Sequence, residues 1–142
     1  MREVKRAALV NKPAAEVFAL INDIESYPQF LPWCTHAHVG ARSPTQIVAT
    51  IGVRQGALRG EFTTRNILDP VRSVRMQLVS GPFRTLEGEW LLTPVEGGGC
   101  RVELTMRFAF SNRLSALLFG PLFAETIGSL VDAFVARARA RP

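Results

Sequence analysis

Arg101-Val102-Glu103-Leu104-Thr105-Met106-Arg107-Phe108-Ala109-Phe110 alternates apolar and polar side chains almost without a break. Val102, Leu104, Met106, Phe108 and Phe110 fall on one side, and Arg101, Glu103, Thr105 and Arg107 on the other. That is the period-two pattern of a strand with one buried face. The period then changes. Ser111 reads as a helix N-cap, and Leu114, Leu117 and Leu118 open an apolar stripe. Phe123, Ile127, Leu130 and Phe134 continue it at helical spacing. Pro121 inside this run is expected to break or kink the helix. Arg137, Arg139 and Arg141 complement its negative end.

Upstream, the same alternation recurs from Thr35 onward. Ile47, Ala49, Ile51 and Val53 form one inner set, Leu58, Gly60, Phe62 and Thr64 another. Val74, Met76 and Leu78 give a third, and Leu86, Gly88, Trp90 and Leu92 a fourth. Turn signals separate them at Arg42-Ser43-Pro44, Gln55-Gly56, Asp69-Pro70, Gly81-Pro82 and Glu96 to Gly99. At the N-terminus, Glu3 to Val10 is strand-like, and Asn11-Lys12-Pro13 opens a helix with Val17, Leu20 and Ile21 on one face. Pro28 and Pro32 limit Asp23 to Trp33 to a short helical turn plus irregular chain.

The expected fold is therefore α+β: a curved, seven-stranded antiparallel sheet wrapped around a long C-terminal helix, with two short helices after the first strand. Its inner face is expected to be wholly apolar. One helix, about 10 Å wide, cannot fill the concavity of such a sheet. Either side chains plug the remainder, or an apolar cavity stays there as a ligand site.

The chain has 142 residues, enough for one domain (1–142) with its own core. Apolar residues are 47% and charged residues 20%, which excludes disordered, collagen-like, disulfide-framework and membrane-spanning classes. Seventeen cations, all but Lys5 and Lys12 being Arg, stand against twelve anions, a net charge of +5. This favours an anionic partner without choosing one. Cys34 and Cys100 form no C-x-x-C pair, and the N-terminus has no apolar signal core. A cytoplasmic protein with two free thiols is expected.

Catalytic motifs are missing: there is no G-x-S-x-G, H-E-x-x-H or phosphate-binding glycine loop. Cys34, His36 and His38 alternate along a strand and would share one face, a spacing that resembles zinc ligation but lacks a fourth ligand. Two solvent-side histidines and no metal are expected. Arg59, Arg65, Arg72, Arg75, Arg101 and Arg107 form a stripe on the solvent side of the sheet, interleaved with Glu61, Glu87, Glu89 and Glu103.

Four stretches carry a resemblance: Ile24-Glu25-Ser26-Tyr27-Pro28-Gln29-Phe30-Leu31-Pro32-Trp33-Cys34, Phe62-Thr63-Thr64-Arg65-Asn66, Leu78 through Trp90, and Val131 through Ala138. In this order they resemble the coenzyme Q-binding START-domain family, in the START-like polyketide cyclase and lipid transport superfamily with its helix-grip fold. The resemblance implies a non-enzymatic carrier of ubiquinone or a related isoprenoid lipid that supports respiration. No cofactor is required beyond that ligand. The family's bacterial branch includes a ribosome association toxin, so the same resemblance also implies binding to the large ribosomal subunit and a block on subunit joining. A monomer is expected.

The expected pocket lining is Tyr27, Phe30, Leu31, Trp33, Phe62, Leu78, Phe83, Trp90, Phe108, Phe110, Phe123, Ile127, Leu130 and Phe134. Burying one CH₂ contributes roughly 0.8 kcal/mol, so a five-carbon isoprene unit offers about 4 kcal/mol and needs no polar anchor. Phe119, Gly120 and Pro121 are the candidate gate. Their apolar flanks suit transient contact with a bilayer, peripheral at the inner membrane.

Overall fold

The computed structural model describes residues 2–55 and 57–140. Gly56, Arg141 and the side chains of Gln55, Leu58 and Leu122 lie outside the described residues. Strand β1 (Arg2–Val10) is followed by helix α1 (Ala14–Asn22) and a 3₁₀ segment (Ile24–Gln29). Six strands then run consecutively: β2 (Cys34–Arg42), β3 (Gln46–Gln55), β4 (Leu58–Asp69), β5 (Ser73–Ser80), β6 (Phe83–Pro94) and β7 (Cys100–Phe110). Helix α2 (Arg113–Ala140) closes the chain.

The sheet order is β1-β7-β6-β5-β4-β3-β2, antiparallel throughout. Strands β2 to β7 form a meander, because each connection is a short turn that returns the chain beside itself. Strand β1 adds to the far edge beside β7, so α1 and the 3₁₀ segment must carry the chain from one edge strand to the other. Register shifts at Cys34/His36, Val39/Ala41, Thr63/Thr64 and Phe83/Thr85 mark bulges, which bend strands and deepen the curvature.

The turn between β4 and β5 carries strain. The Arg72 amide donates to the Asp69 carbonyl at 2.9 Å, with Pro70 and Val71 in the middle positions and Val71 at φ 69°. A β-branched residue is poorly suited to this left-handed conformation, where glycine would be at ease.

Helix α2 packs on β1, β7 and α1. Its buried face holds Phe123, Ile127, Val131, Phe134, Val135 and Ala138. By length and composition alone α2 could cross a bilayer, but this face belongs to the core under the sheet. Three expectations are corrected here. Pro121 does not break the helix, which is continuous from Arg113 to Ala140; Pro121 is exposed, so water can reach the Leu117 carbonyl that its missing N–H leaves open. The N-cap is Asn112, whose Oδ1 accepts from the Ser115 amide at 2.8 Å, while the Ser111 hydroxyl donates to the Pro82 carbonyl at 3.3 Å. Leu114, Leu117 and Leu118 face solvent, at 65%, 70% and 46% exposure, because α2 begins before it reaches the sheet.

Two variants test these packing statements by urea unfolding. Phe108 is 1% exposed, and Phe108→Ala is expected to lower stability by about 3–5 kcal/mol. Val71→Gly is expected to raise it by roughly 0.5–1 kcal/mol, the left-handed strain outweighing glycine's extra chain entropy.

Candidate functional site: an internal cavity and an arginine-bearing outer face

Between the concave face of the sheet and α2 lies a cavity of about 80 Å³. It is bounded by two aromatic clusters. At one end Phe62, Phe83, Phe108, Phe110 and Phe123 pack together, with the Phe83 and Phe110 rings stacked at 4.9 Å and Phe108 edge-on to Phe123 at 4.8 Å. At the other, Phe134 meets Tyr27, Phe30 and Trp90 at 5.1–5.2 Å in edge-to-face contacts. Such geometry satisfies the ring quadrupoles and locks the side chains in place. The aromatics thus plug most of the concavity. What stays open is smaller than the roughly 150 Å³ cavity that admits benzene.

Tyr27, Trp33, Phe62, Trp90, Phe123, Ile127, Leu130 and Phe134 line this cavity. The other residues assigned to the lining from sequence sit elsewhere. Phe30 packs under the Arg137 guanidinium, 5.1 Å from its ring centre, and Leu31 is fully buried in the cluster around Ile24, Ile47 and Ile51. Phe108 and Phe110 belong to the first aromatic plug, and Leu78 packs at the margin of the core. Phe83 lines a separate, smaller crevice of about 20 Å³. That crevice also contains Phe119, and it shares Val53, Phe62, Phe123 and Thr126 with the main cavity. Of the gate residues, Gly120 is buried against Phe110 and Pro121 is exposed.

The inner face is not wholly apolar. Thr64 and Asn66 of β4 and Thr126 of α2 are buried and line the cavity. The Thr64 hydroxyl donates to Asn66 Oδ1 at 2.8 Å. Alternation had put Thr64 on the inner face but gave no reason to treat it as more than a spacer. Asn66 continues the same phase two residues on, and that was the signal available.

Tyr27 is anchored at the cavity's edge by donating its hydroxyl to the Ile21 carbonyl, and burial pushes its ionisation above the ordinary phenol range. Burial likewise pushes the Cys34 thiol up to about 11, and raises that of Cys100. Cys34 does not share a face with the histidines: the bulge after it turns its side chain into the core, while His36 and His38 are exposed. His36 Nε2 lies 2.7 Å from Glu61 Oε2. Among the described residues no group of three or more His, Cys, Asp or Glu side chains could hold a metal ion.

The outer face divides by charge. Arg107 bridges Glu3 at 2.6 Å and Glu87 at 3.9 Å, its two register neighbours on β1 and β6, and this holds the Glu3 carboxyl below its usual range. Arg101 pairs with Glu103 at 3.3 Å. On β3, β4 and β5 the arginines are different. Arg54, Arg59, Arg65 and Arg75 are exposed and make no ion pair among the described residues. Arg54 and Arg59 are direct register partners, a like-charge juxtaposition that costs stability.

Comparison with known proteins bears on both features. The model of the family described as polyketide cyclase / dehydrase and lipid transport matches residues 10–135. The chain is 42% identical over 139 residues to the ribosome association toxin RatA of Vibrio cholerae, covering 98% of this chain and 96% of that one. It is 29% identical to the mitochondrial coenzyme Q-binding protein COQ10 of Saccharomyces cerevisiae, covering 96% and 70%. The crystal structure of a Thermus thermophilus protein superposes with a TM-score of 0.84 over 98% of both chains; at 22% identity the likeness is one of fold.

The raised thiol has a consequence for stability. The fold favours the neutral Cys34 form, so its contribution is complete below the ordinary thiol value of 9.0 and is lost as pH rises toward 11. The urea midpoint is expected to fall across that window, and less so in Cys34→Val. Iodoacetamide at about pH 8 should label native Cys34 at least tenfold more slowly than the urea-unfolded chain, since only about one thiol in a thousand is then ionised.

Proposed function

Because the chain belongs to the polyketide cyclase / dehydrase and lipid transport family, and because its curated relatives at 41–42% identity over 98% of its length include ribosome association toxins, we propose that it is a non-enzymatic, ribosome-binding inhibitor of translation. It acts in the cytoplasm on the large ribosomal subunit and blocks subunit joining. The observation that carries this reading is that full-length identity. The bare arginines of β3 to β5 support it, since guanidinium groups bind phosphate oxygens bidentately and a phosphate between Arg54 and Arg59 would relieve their repulsion.

Sedimentation of a lysate at low and high salt tests this. The protein should migrate with the large subunit at low salt and leave it at high salt. Arg65→Glu/Arg75→Glu should weaken association at least tenfold with its unfolding midpoint unchanged, and the log–log salt slope should drop by about one per arginine removed. A protein that never co-migrates with the large subunit sinks the proposal.

A second reading, favoured by the cavity, is that the fold holds an apolar ligand such as ubiquinone or another isoprenoid lipid. The two readings are compatible, one using the inside and one the outside. At about 80 Å³ the cavity is below the roughly 300–1,000 Å³ of ordinary ligand sites, so binding requires it to open. Phe62 and Phe123 stand between the cavity and the crevice at Phe119, and swinging their rings would join the two. Met76 and Met106 on the lining are adaptable enough to follow. Organic extraction of the purified protein followed by mass spectrometry should recover a stoichiometric isoprenoid lipid; an empty extract counts against this second reading and leaves the first untouched.

A further inference from the structure

Thr64 and Asn66 sit where the fold has least use for them. Both project from β4 into the space under α2, each is 6% exposed, and their neighbours on the cavity lining are almost all apolar. A polar pair here is costly unless its hydrogen-bonding groups are matched. The pair matches itself only in part. The Thr64 hydroxyl donates to Asn66 Oδ1 at 2.8 Å, which fixes the plane of the carboxamide. Among the described residues nothing accepts from Asn66 Nδ2. One oriented donor is therefore left in an apolar cavity.

We propose that Thr64 and Asn66 form the polar end of the internal site, which takes a ring-sized apolar molecule presenting a hydrogen-bond acceptor, a carbonyl or ether oxygen, to Asn66 Nδ2. This rests on the internal-ligand reading above and adds to it a polarity and an orientation. A purely hydrocarbon ligand would leave Nδ2 unmatched. A ligand offering only a donor would leave Nδ2 without an acceptor. A carboxylate or phosphate is disfavoured, because among the described residues no cation lines the cavity to compensate its burial. Thr64 acts as the positioning residue, holding Oδ1 so that the amide nitrogen stays free for the ligand.

An isosteric pair of probes tests this: 2-acetonaphthone, which carries a carbonyl, and 2-isopropenylnaphthalene, in which that oxygen is replaced by CH₂. Calorimetric titration of the intact protein gives the ratio of their affinities. In Asn66→Leu the ketone-to-alkene ratio is expected to fall about tenfold, with alkene affinity held or improved. The infrared carbonyl stretch of bound ketone should lie at lower wavenumber in the wild type and return toward its apolar-solvent position in the variant. If Asn66→Leu fails to fold, Thr64→Val/Asn66→Leu removes both polar partners together and gives the same comparison. An unchanged ratio overturns the proposal while leaving an internal ligand site standing. Failure of both probes to bind the wild type overturns the internal-ligand reading and the proposal with it.

Discussion

A seven-stranded antiparallel sheet curved around one helix has a concave face wider than the helix that must cover it. Every other feature of the molecule answers that mismatch. Phe123, Ile127, Val131 and Phe134 supply the covering face of α2, each gaining roughly 1.5–3 kcal/mol on leaving water. The space they do not reach is taken by aromatic side chains from the strands and from the 3₁₀ segment, arranged edge-to-face in two clusters. Between the clusters the packing gives out, and a small cavity is left. The cavity is thus a geometric remainder of the architecture.

The outside of the same sheet is organised by charge rather than by volume. Carboxylates on β1, β6 and β7 neutralise Arg101 and Arg107, while among the described residues the arginines of β3, β4 and β5 make no ion pair. Arg54, Arg59, Arg65 and Arg75 are in this way gathered on one half of the outer face. Inside and outside are separated by the thickness of a single sheet, and alternation along each strand keeps them chemically independent. One chain can accordingly offer an apolar interior and a cationic exterior to different partners.

Much of this was legible in the residues. Alternation along β3 to β7 placed inward and outward side chains correctly, because register in a half-buried sheet is fixed by its apolar phase. Where reading failed, a local event had broken the phase. The bulge after Cys34 sends that thiol into the core and leaves His36 and His38 in water, and no pattern in Cys34-Thr35-His36-Ala37-His38 announces it. Leu114, Leu117 and Leu118 have helical spacing but lie exposed, since spacing states which residues share a face and not whether a sheet lies beneath it. Thr64 and Asn66 carry no such signal, because a polar residue in an inward phase looks like an imperfection until its surroundings are known.

The sequence by itself determined the number and kind of elements, the antiparallel sheet, the covering helix and the resemblance that joins this chain to its family. Those are consequences of periodicity, turn chemistry and motif order, which are local or linear properties. Only the tertiary structure decided how far the concavity is plugged, which arginines lack carboxylates, and which polar pair faces the remaining space. Each of these depends on side chains brought together from strands and helix far apart in the chain, and no periodicity along one strand encodes what stands opposite it.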